Sequence, residues 1–216
     1  GGAWAGSFLH QSGIFFPQAS VRSSILSLKP VPRDLPDALH TAAASVTRRQ
    51  NGGYTVAVSG RSHFDPTMRM IAGAKHFLPM FAKRWKSLSP GGLQAWKAAF
   101  ETRAIWALDQ PTPMERTRIL DPKPSTRHVD EALRRARALL PALKDVPMQQ
   151  SWAGYIDSTP DGVPVIDSDI GVPGLTLAAG LSGHGFGIGP GVGRILADLA
   201  GAPAHHRNSA VQAEPF

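Results

Sequence analysis

The chain has 216 residues, of which 42% are hydrophobic and 18% charged, with a formal net charge of +7; such a chain can bury one good core or two small ones and is not disordered. Zero cysteines exclude disulfides, thiolate metal sites, a cysteine nucleophile and a cysteinyl cofactor link within these residues, and they fit a reducing cytoplasm. No run reaches the roughly 18 apolar residues of a membrane span, and no signal peptide is visible.

Gly1-Gly2-Ala3-Trp4 reads as a cut inside a domain, at a strand-to-helix turn, and residues 3–10 read as a short helix. Residues 21–28 alternate at period two late in the run, as a strand does. Pro30, Pro32 and Pro36 then mark a loop. Residues 42–49 and 53–59 flank Gln50-Asn51-Gly52, and Asn-Gly between two strand-like runs signals a hairpin. Asp65-Pro66-Thr67 starts a helical stretch to about residue 87, with Met70, Ile71, Phe77, Leu78 and Phe81 at helical spacing and a kink expected at Pro79. A second helix is expected over residues 93–100. Trp96, Phe100 and Trp106 read as core residues rather than a platform for stacked bases.

Residues 115–120 suggest a strand, stopped by Asp121-Pro122-Lys123-Pro124. Ser125-Thr126 caps a helix to residue 140 with an arginine-rich side. Residues 149–156 and 163–166 are strand-like, separated by a Thr159-Pro160-Asp161-Gly162 turn. Asp157, Asp161, Asp167 and Asp169 read as turn and cap residues rather than acid/base pairs. Basic residues are scattered, at Arg48-Arg49, Lys83-Arg84-Lys86, Arg116-Arg118 and Arg134-Arg135-Arg137. No dense basic block interleaves with aromatics, so a solvated surface or an anionic partner takes precedence over nucleic acid. His205-His206 lacks the further ligands of a metal site.

An apolar strand over residues 175–179 leads into a turn whose glycines are Gly180, Gly183, Gly185, Gly187, Gly189, Gly191 and Gly193. The turn opens a helix near Gly187. Neither Gly-x-x-x-x-Gly-Lys-Ser/Thr nor Gly-x-Gly-x-x-Gly occurs, so the turn is not a pyrophosphate cradle of either kind. Alternating glycines leave bare backbone over a broad patch, which suits a planar ring. A helix start adds free N–H groups and a positive dipole end, which favour negative charge on a reduced flavin. The bland alternative is a turn kept for tight strand–helix packing.

Two separated stretches carry a family resemblance. Trp152-Ala153-Gly154-Tyr155-Ile156-Asp157-Ser158-Thr159-Pro160-Asp161-Gly162-Val163-Pro164-Val165-Ile166, with Pro173-Gly174-Leu175 and Ser182-Gly183-His184-Gly185-Phe186-Gly187-Ile188-Gly189-Pro190, resembles the carboxyl-terminal signature of the FAD-dependent D-amino-acid oxidase superfamily. Gly1-Gly2-Ala3-Trp4 is similar to an internal turn of its FAD domain. The resemblance implies an α+β substrate domain joined to the carboxyl-terminal part of an α/β FAD-binding domain. It divides the chain into residues 1–19 and 148–201 on the FAD side, residues 20–147 as the substrate domain, and a tail at 202–216.

By that resemblance Gly2, Ala3, Trp4, Gly154, Gly183, His184, Gly185, Phe186, Gly187 and Ile188 are the cofactor-side positions, with His184 the one catalytic side chain. The cofactor is FAD, noncovalent because no cysteine is present. The implied reaction oxidises the C–N bond of a small-molecule amine or amino acid by hydride transfer to flavin N5. A deprotonated amine needs no acid/base side chain for that step. The family's carboxylate-clamping arginine, expected near residues 155–157, has no counterpart there; Arg61, Arg103 and Tyr155 are the substrate-side candidates. The segment that holds the ADP half is missing from these residues. The alternatives are a non-catalytic subunit or fragment completed by a partner chain carrying the dinucleotide motif, and a basic nucleic-acid-binding domain.

Overall fold

The structure is a computed structural model that describes residues 2–31, 35–91, 105–107 and 109–201. Its main feature is a seven-stranded sheet. The strands are β1 (Ala19–Leu28), β2 (Ala38–His40), β3 (Ala44–Arg48), β4 (Tyr54–Val58), β5 (Ser62–Phe64), β6 (Leu88–Pro90) and β7 (Met148–Ser158). All pairings are antiparallel except β5 with β6. Strand β1 is the axis: β7 pairs with it from Ala19↔Ser158 to Leu28↔Met148. Its other edge is shared between β4, at residues 25–28, and β5, at residues 21–22.

The Asn51-Gly52 hairpin forms as read, with Arg48 opposite Tyr54. Gly52 has φ +82°, and the Asn51 side chain accepts the Gly53 N–H at 3.0 Å, the combination for which turns use Asn and Gly. Helix α5 (Thr126–Leu139) starts at Ser125, whose hydroxyl accepts the His128 N–H. Its Val129, Ala132 and Ala136 repeat at helical spacing and bury against Leu26, Leu28, Val46, Tyr54 and Val56 of β1, β3 and β4. That is the main core. A smaller one joins Leu9 of α1 (Ala5–Gln11) to Phe16 and to Leu177 and Ala179 of β9 (Leu177–Ala179). Strand β9 pairs with β8 (Val165–Asp167), and α6 (Gly185–Gly201) follows.

Two expectations need correction. The helical stretch after Thr67 is broken at Gly73, not at Pro79: α2 (Met68–Ala72) ends there and α3 (Ala74–Arg84) continues through Pro79. Gly73 approaches the Phe15 ring, where a Cβ would touch at 3.5 Å, and glycine is the weakest link in a helix short of proline. The second correction concerns the strand expected at residues 115–120. Residues 113–116 form a short helix, α4 (Pro113–Arg116), closed by a reciprocal capping box between Thr112 and Glu115. The box satisfies two amide groups that a strand would otherwise have to pair. The helix expected at residues 93–100, Trp96 and Phe100, Arg103, and the tail with His205-His206 lie outside the described residues.

The face of β1 toward α5 carries buried polar groups at its open end. Arg22 grips Asp65 through both carboxylate oxygens, Nε to Oδ2 at 2.7 Å and Nη2 to Oδ1 at 3.1 Å, and donates a third bond to the Lys123 carbonyl. The Asp65 hydrogen bond raises the Arg22 pKa. Both side chains are buried, and a Cβ on Gly91 would fall 1.7 Å from Asp65 Oδ1. Beside the pair, His63 stacks on His128 with centroids 4.1 Å apart and planes within 7°. Ser89 bridges them, its hydroxyl to His128 Nε2 and its carbonyl to His63 Nδ1. Burial lowers the His128 pKa from 6.5 to about 4; His63, Arg127 and Arg61 act in the same direction and Glu131 against it.

Two outcomes follow for stability. Replacing Asp65 by Asn leaves the Arg22 charge buried and half-paired, which should cost about 3–5 kcal/mol in urea unfolding; a loss below about 1 kcal/mol would show the pair to be incidental. For His128 the folded pKa lies below the unfolded one, so the unfolded chain binds more protons between them. Its contribution is complete above pH 6.5 and is lost as pH falls toward about 4. His128→Gln should flatten the pH dependence of the unfolding midpoint across that window.

Candidate functional site

Strand alternation decides what faces what. Val21 is opposite Phe64 on one side and Ile156 on the other, so the three side chains form one row across β5, β1 and β7. Ala19 and Ser158 extend the same face. This face, away from α5, lines a cavity of about 270 Å³. Helix α3 supplies a second wall with Phe77, Met80, Phe81 and Arg84, and Phe81 meets Phe64 at a ring-centroid distance of 6.4 Å. Ser182 and His184, from the glycine turn, complete the lining.

The turn itself is held by Asp157. One oxygen, Oδ2, accepts the N–H groups of Gly180 at 2.9 Å and Gly2 at 3.1 Å. The Asp157 carbonyl accepts the Ser182 N–H. Two regions far apart in sequence, the Gly2-Ala3-Trp4 turn and the glycine turn, thus meet at one carboxylate. Gly180 is required twice: its φ is +72°, and a Cβ would sit 2.3 Å from Thr159 Cγ2. Ser182 (φ 50°) and Gly183 (φ 88°) keep the chain left-handed before α6 begins. On the other side, Gln18 takes the Gly6 N–H on Oε1 at 2.8 Å and donates to the Gly2 carbonyl at 2.7 Å. Arg69 of α2 bonds the Gly6 carbonyl and the Ser7 hydroxyl.

Helix α6 is unusual for its bareness. Among its residues only Val192 is buried, and Phe186 is fully exposed. At Gly187, Gly189, Gly191 and Gly193 a Cβ would meet nothing within 4 Å. Each glycine in a helix costs about 1 kcal/mol relative to alanine, and these four gain no packing among the described residues for it. The amides of Gly185 and Phe186 have no backbone acceptor among the described residues. Open backbone, free N–H groups and a helix start are the donor set that an anionic, planar group requires. The residues therefore fit a flavin.

The expected positions fall out as follows. Gly183, His184, Gly185, Phe186, Gly187 and Ile188 form the turn and first turn of α6, and His184 opens onto the cavity. Gly2 is joined to them through Asp157, and Ala3 and Trp4 lead from it into α1. Gly154 lies exposed on β7, on the cavity face two residues from Ile156. Tyr155 points the other way, in register with Arg22 on the α5 face, because neighbouring strand residues alternate. Arg61 is engaged elsewhere, with Glu131 at 3.7 Å; Arg103 lies outside the described residues. Asp161 and Asp167 each accept an N–H two residues on, as turn residues do. Asp157, by contrast, is a strand residue whose spacing resembled theirs. Phe64 and Arg84 carried no sequence signal beyond apolar or basic character, and Ile156 none beyond its place in the signature at residues 152–166.

Residues 1–199 match the family model described as FAD dependent oxidoreductase, and the chain belongs to this family. It is 30% identical over 77 residues to the glycine oxidase of Bacillus licheniformis, a match covering 36% of this chain and 21% of that protein. Among solved structures it resembles the L-amino acid deaminase from Proteus vulgaris (TM-score 0.81, 20% identity, 93% of this chain and 46% of that one). It also resembles the L-amino acid deaminase from Proteus myxofaciens in complex with anthranilate (TM-score 0.82, 22% identity, 93% and 44%). At these identities the structural likeness is one of fold. The chain spans under half the length of those two structures.

Asp157→Ala removes the acceptor for two N–H groups and should destabilise the chain by about 2–4 kcal/mol. Amide exchange should rise at Gly2 and Gly180 together. Protection retained at either glycine would show that the carboxylate does not join the two turns.

Proposed function

We propose that this chain supplies the substrate cavity and the ring side of the flavin site in an FAD-dependent enzyme that oxidises the C–N bond of an amine or amino acid. The observation that carries the reading is adjacency. Ser182 and His184 line the cavity and immediately precede the bare start of α6, so a small molecule in the cavity would adjoin a planar group on the helix.

In this reading the cofactor is held noncovalently by backbone at Gly2, Ala3 and Trp4, along Gly154 and at residues 183–188. When bound, the flavin supplies the acceptor for the hydride that leaves the substrate carbon. The protein's share is binding and orientation. The N–H groups of Gly185 and Phe186, with the positive end of α6, hold negative charge at the ring edge. Val21, Phe64, Ile156 and Phe81 exclude water, and their apolar surface disfavours an ammonium relative to the neutral amine that can lose hydride. His184, at the junction of cavity and turn, orients the substrate. A cytoplasmic setting accords with the absence of cysteine; no described helix is long and apolar enough to cross a membrane.

The exposure of α6 favours a second element of the proposal. A helix apolar on most sides belongs in an interior, and Phe186, Ile188 and Ile195 are exposed instead. A lobe carrying Gly-x-Gly-x-x-Gly, from an adjoining segment or a partner chain, would cover them and hold the ADP half.

Gly187→Ala separates the functional and structural readings of the turn. With open space around that position, alanine should leave the thermal midpoint of the chain alone unchanged or higher, by up to about 1 kcal/mol of helix propensity. Flavin bound per protein, read from the visible spectrum of the natural full-length protein, should fall. Unchanged flavin content would remove α6 from the site, and a full-length protein without flavin absorbance would overturn the function.

A further inference from the structure

We propose that the outer side of α3, with the 3₁₀ turn at Trp85–Ser87 that continues it, docks on the surface of an anionic phospholipid bilayer. The proposal stands apart from the amine-oxidising reading. It starts from a helix that buries none of its residues. Leu78, Phe81 and Trp85, at i, i+3 and i+7, form one stripe along the helix and the turn, and they are 63%, 49% and 56% exposed. Large apolar side chains aligned in this way, rather than scattered singly, mark a surface for interaction. Phe77 and Met80 turn toward the cavity, so cavity and stripe use different sides of the helix and Phe81 borders both.

The charge around the stripe selects the occupant. By helical spacing Lys75 and Lys86 flank it on one side and Arg84 on the other, with Lys83 behind. All four are exposed, and none is in an ion pair among the described residues. From Pro66 to Phe100 the sequence contains no Asp or Glu, so no neighbouring carboxylate in the chain offsets these cations. The Lys86 ammonium stands over the Trp85 ring, 5.7 Å from its centroid. A helix with Leu, Phe and Trp on one side and Lys and Arg around them lies in the plane of a bilayer surface. There the apolar side chains enter the boundary between headgroups and acyl chains, and the tryptophan ring sits at headgroup level. The lysine stems lie along the apolar surface and keep their charges among the phosphates.

A protein partner fits this surface less well. Protein interfaces are depleted in lysine, and a stable one buries about 800 Å² on each side over roughly 20–30 residues. The stripe offers three large apolar side chains with lysines at its edge. A bilayer requires no matching relief, and each cation near an anionic leaflet strengthens binding about fivefold.

The test uses the natural full-length protein and sedimentation with vesicles of phosphatidylcholine alone or of phosphatidylcholine and phosphatidylglycerol in equal parts. At low salt the wild type should bind the mixed vesicles at least about tenfold more tightly than the neutral ones, and added salt should weaken the binding. Lys75→Gln with Lys86→Gln should weaken it about tenfold or more, from about fivefold per charge. Leu78→Ser with Trp85→Ser should weaken it by at least about tenfold through lost apolar burial. On binding, the tryptophan emission should shift to shorter wavelength, and Trp85→Phe should remove that shift. All four substituted side chains are exposed, so the variants should fold, which the thermal midpoint checks. Absent binding, equal binding to the two kinds of vesicle, or binding unchanged in either double variant would overturn the proposal. Sedimentation equilibrium without vesicles tests the second occupant: a dimer that Leu78→Ser with Trp85→Ser converts to a monomer would assign the stripe to a second copy of the chain and overturn the bilayer. Acrylamide quenching, compared between wild type and Trp85→Phe, tests the third: a Trp85 that the quencher does not reach would put the stripe beneath the rest of the full-length protein, with the same result.

Discussion

One carboxylate oxygen, Oδ2 of Asp157, accepts the N–H groups of Gly2 and Gly180, which lie 155 and 23 residues from it in sequence. Both turns need backbone in the left-handed region, and both would leave amides unpaired near the protein interior. The Asp157 side chain is buried and has a partner for each. Because Asp157 sits on β7, which pairs with β1 along its whole length, the carboxylate also ties these turns to the sheet. The glycine turn is therefore placed by a rigid strand and not by its own flexible residues.

The central strands divide the work between their faces. On one face Arg22 and His63 lie beneath α5, buried at the end of an apolar core, Arg22 paired with Asp65 and His63 stacked on His128 of the helix. On the other, Val21, Phe64 and Ile156 form a half-open apolar row under a largely exposed helix. A buried charge pair holds geometry at some cost in desolvation, whereas an apolar wall with open space can accept a ligand. One-residue alternation keeps the two jobs apart, which is why Tyr155 and Ile156, adjacent in sequence, belong to different parts of the molecule.

Local elements were legible wherever a local cause dominated. The Asn51-Gly52 hairpin, the Ser125 cap and the strand at residues 21–28 rest on turn chemistry, capping and period-two burial that act within a few residues. The misreadings have equally local alternatives: the Thr112–Glu115 box turned an expected strand into a helix, and Gly73 broke a helix that Pro79 did not. The glycine turn stood out as a bare backbone surface because six of its glycines fall at alternate positions or nearly so, whatever the fold around it.

The site was legible only in part, for a physical reason. A glycine-rich turn and a family signature can be read from order along the chain, and with them the FAD-dependent oxidoreductase family. What lies across a cavity cannot. Asp157 looked like the turn aspartates beside it until the sheet register brought Gly2 to it. Arg84 was one scattered basic residue until α3 folded over the row of Val21, Phe64 and Ile156. By itself the sequence determined the turn, its bare backbone and the alternation of the strands, because these follow from the residues' own conformational preferences. Only the tertiary structure decided which carboxylate joins the two turns and which cation opens onto the cavity, because both depend on contacts between segments that covalent order leaves far apart.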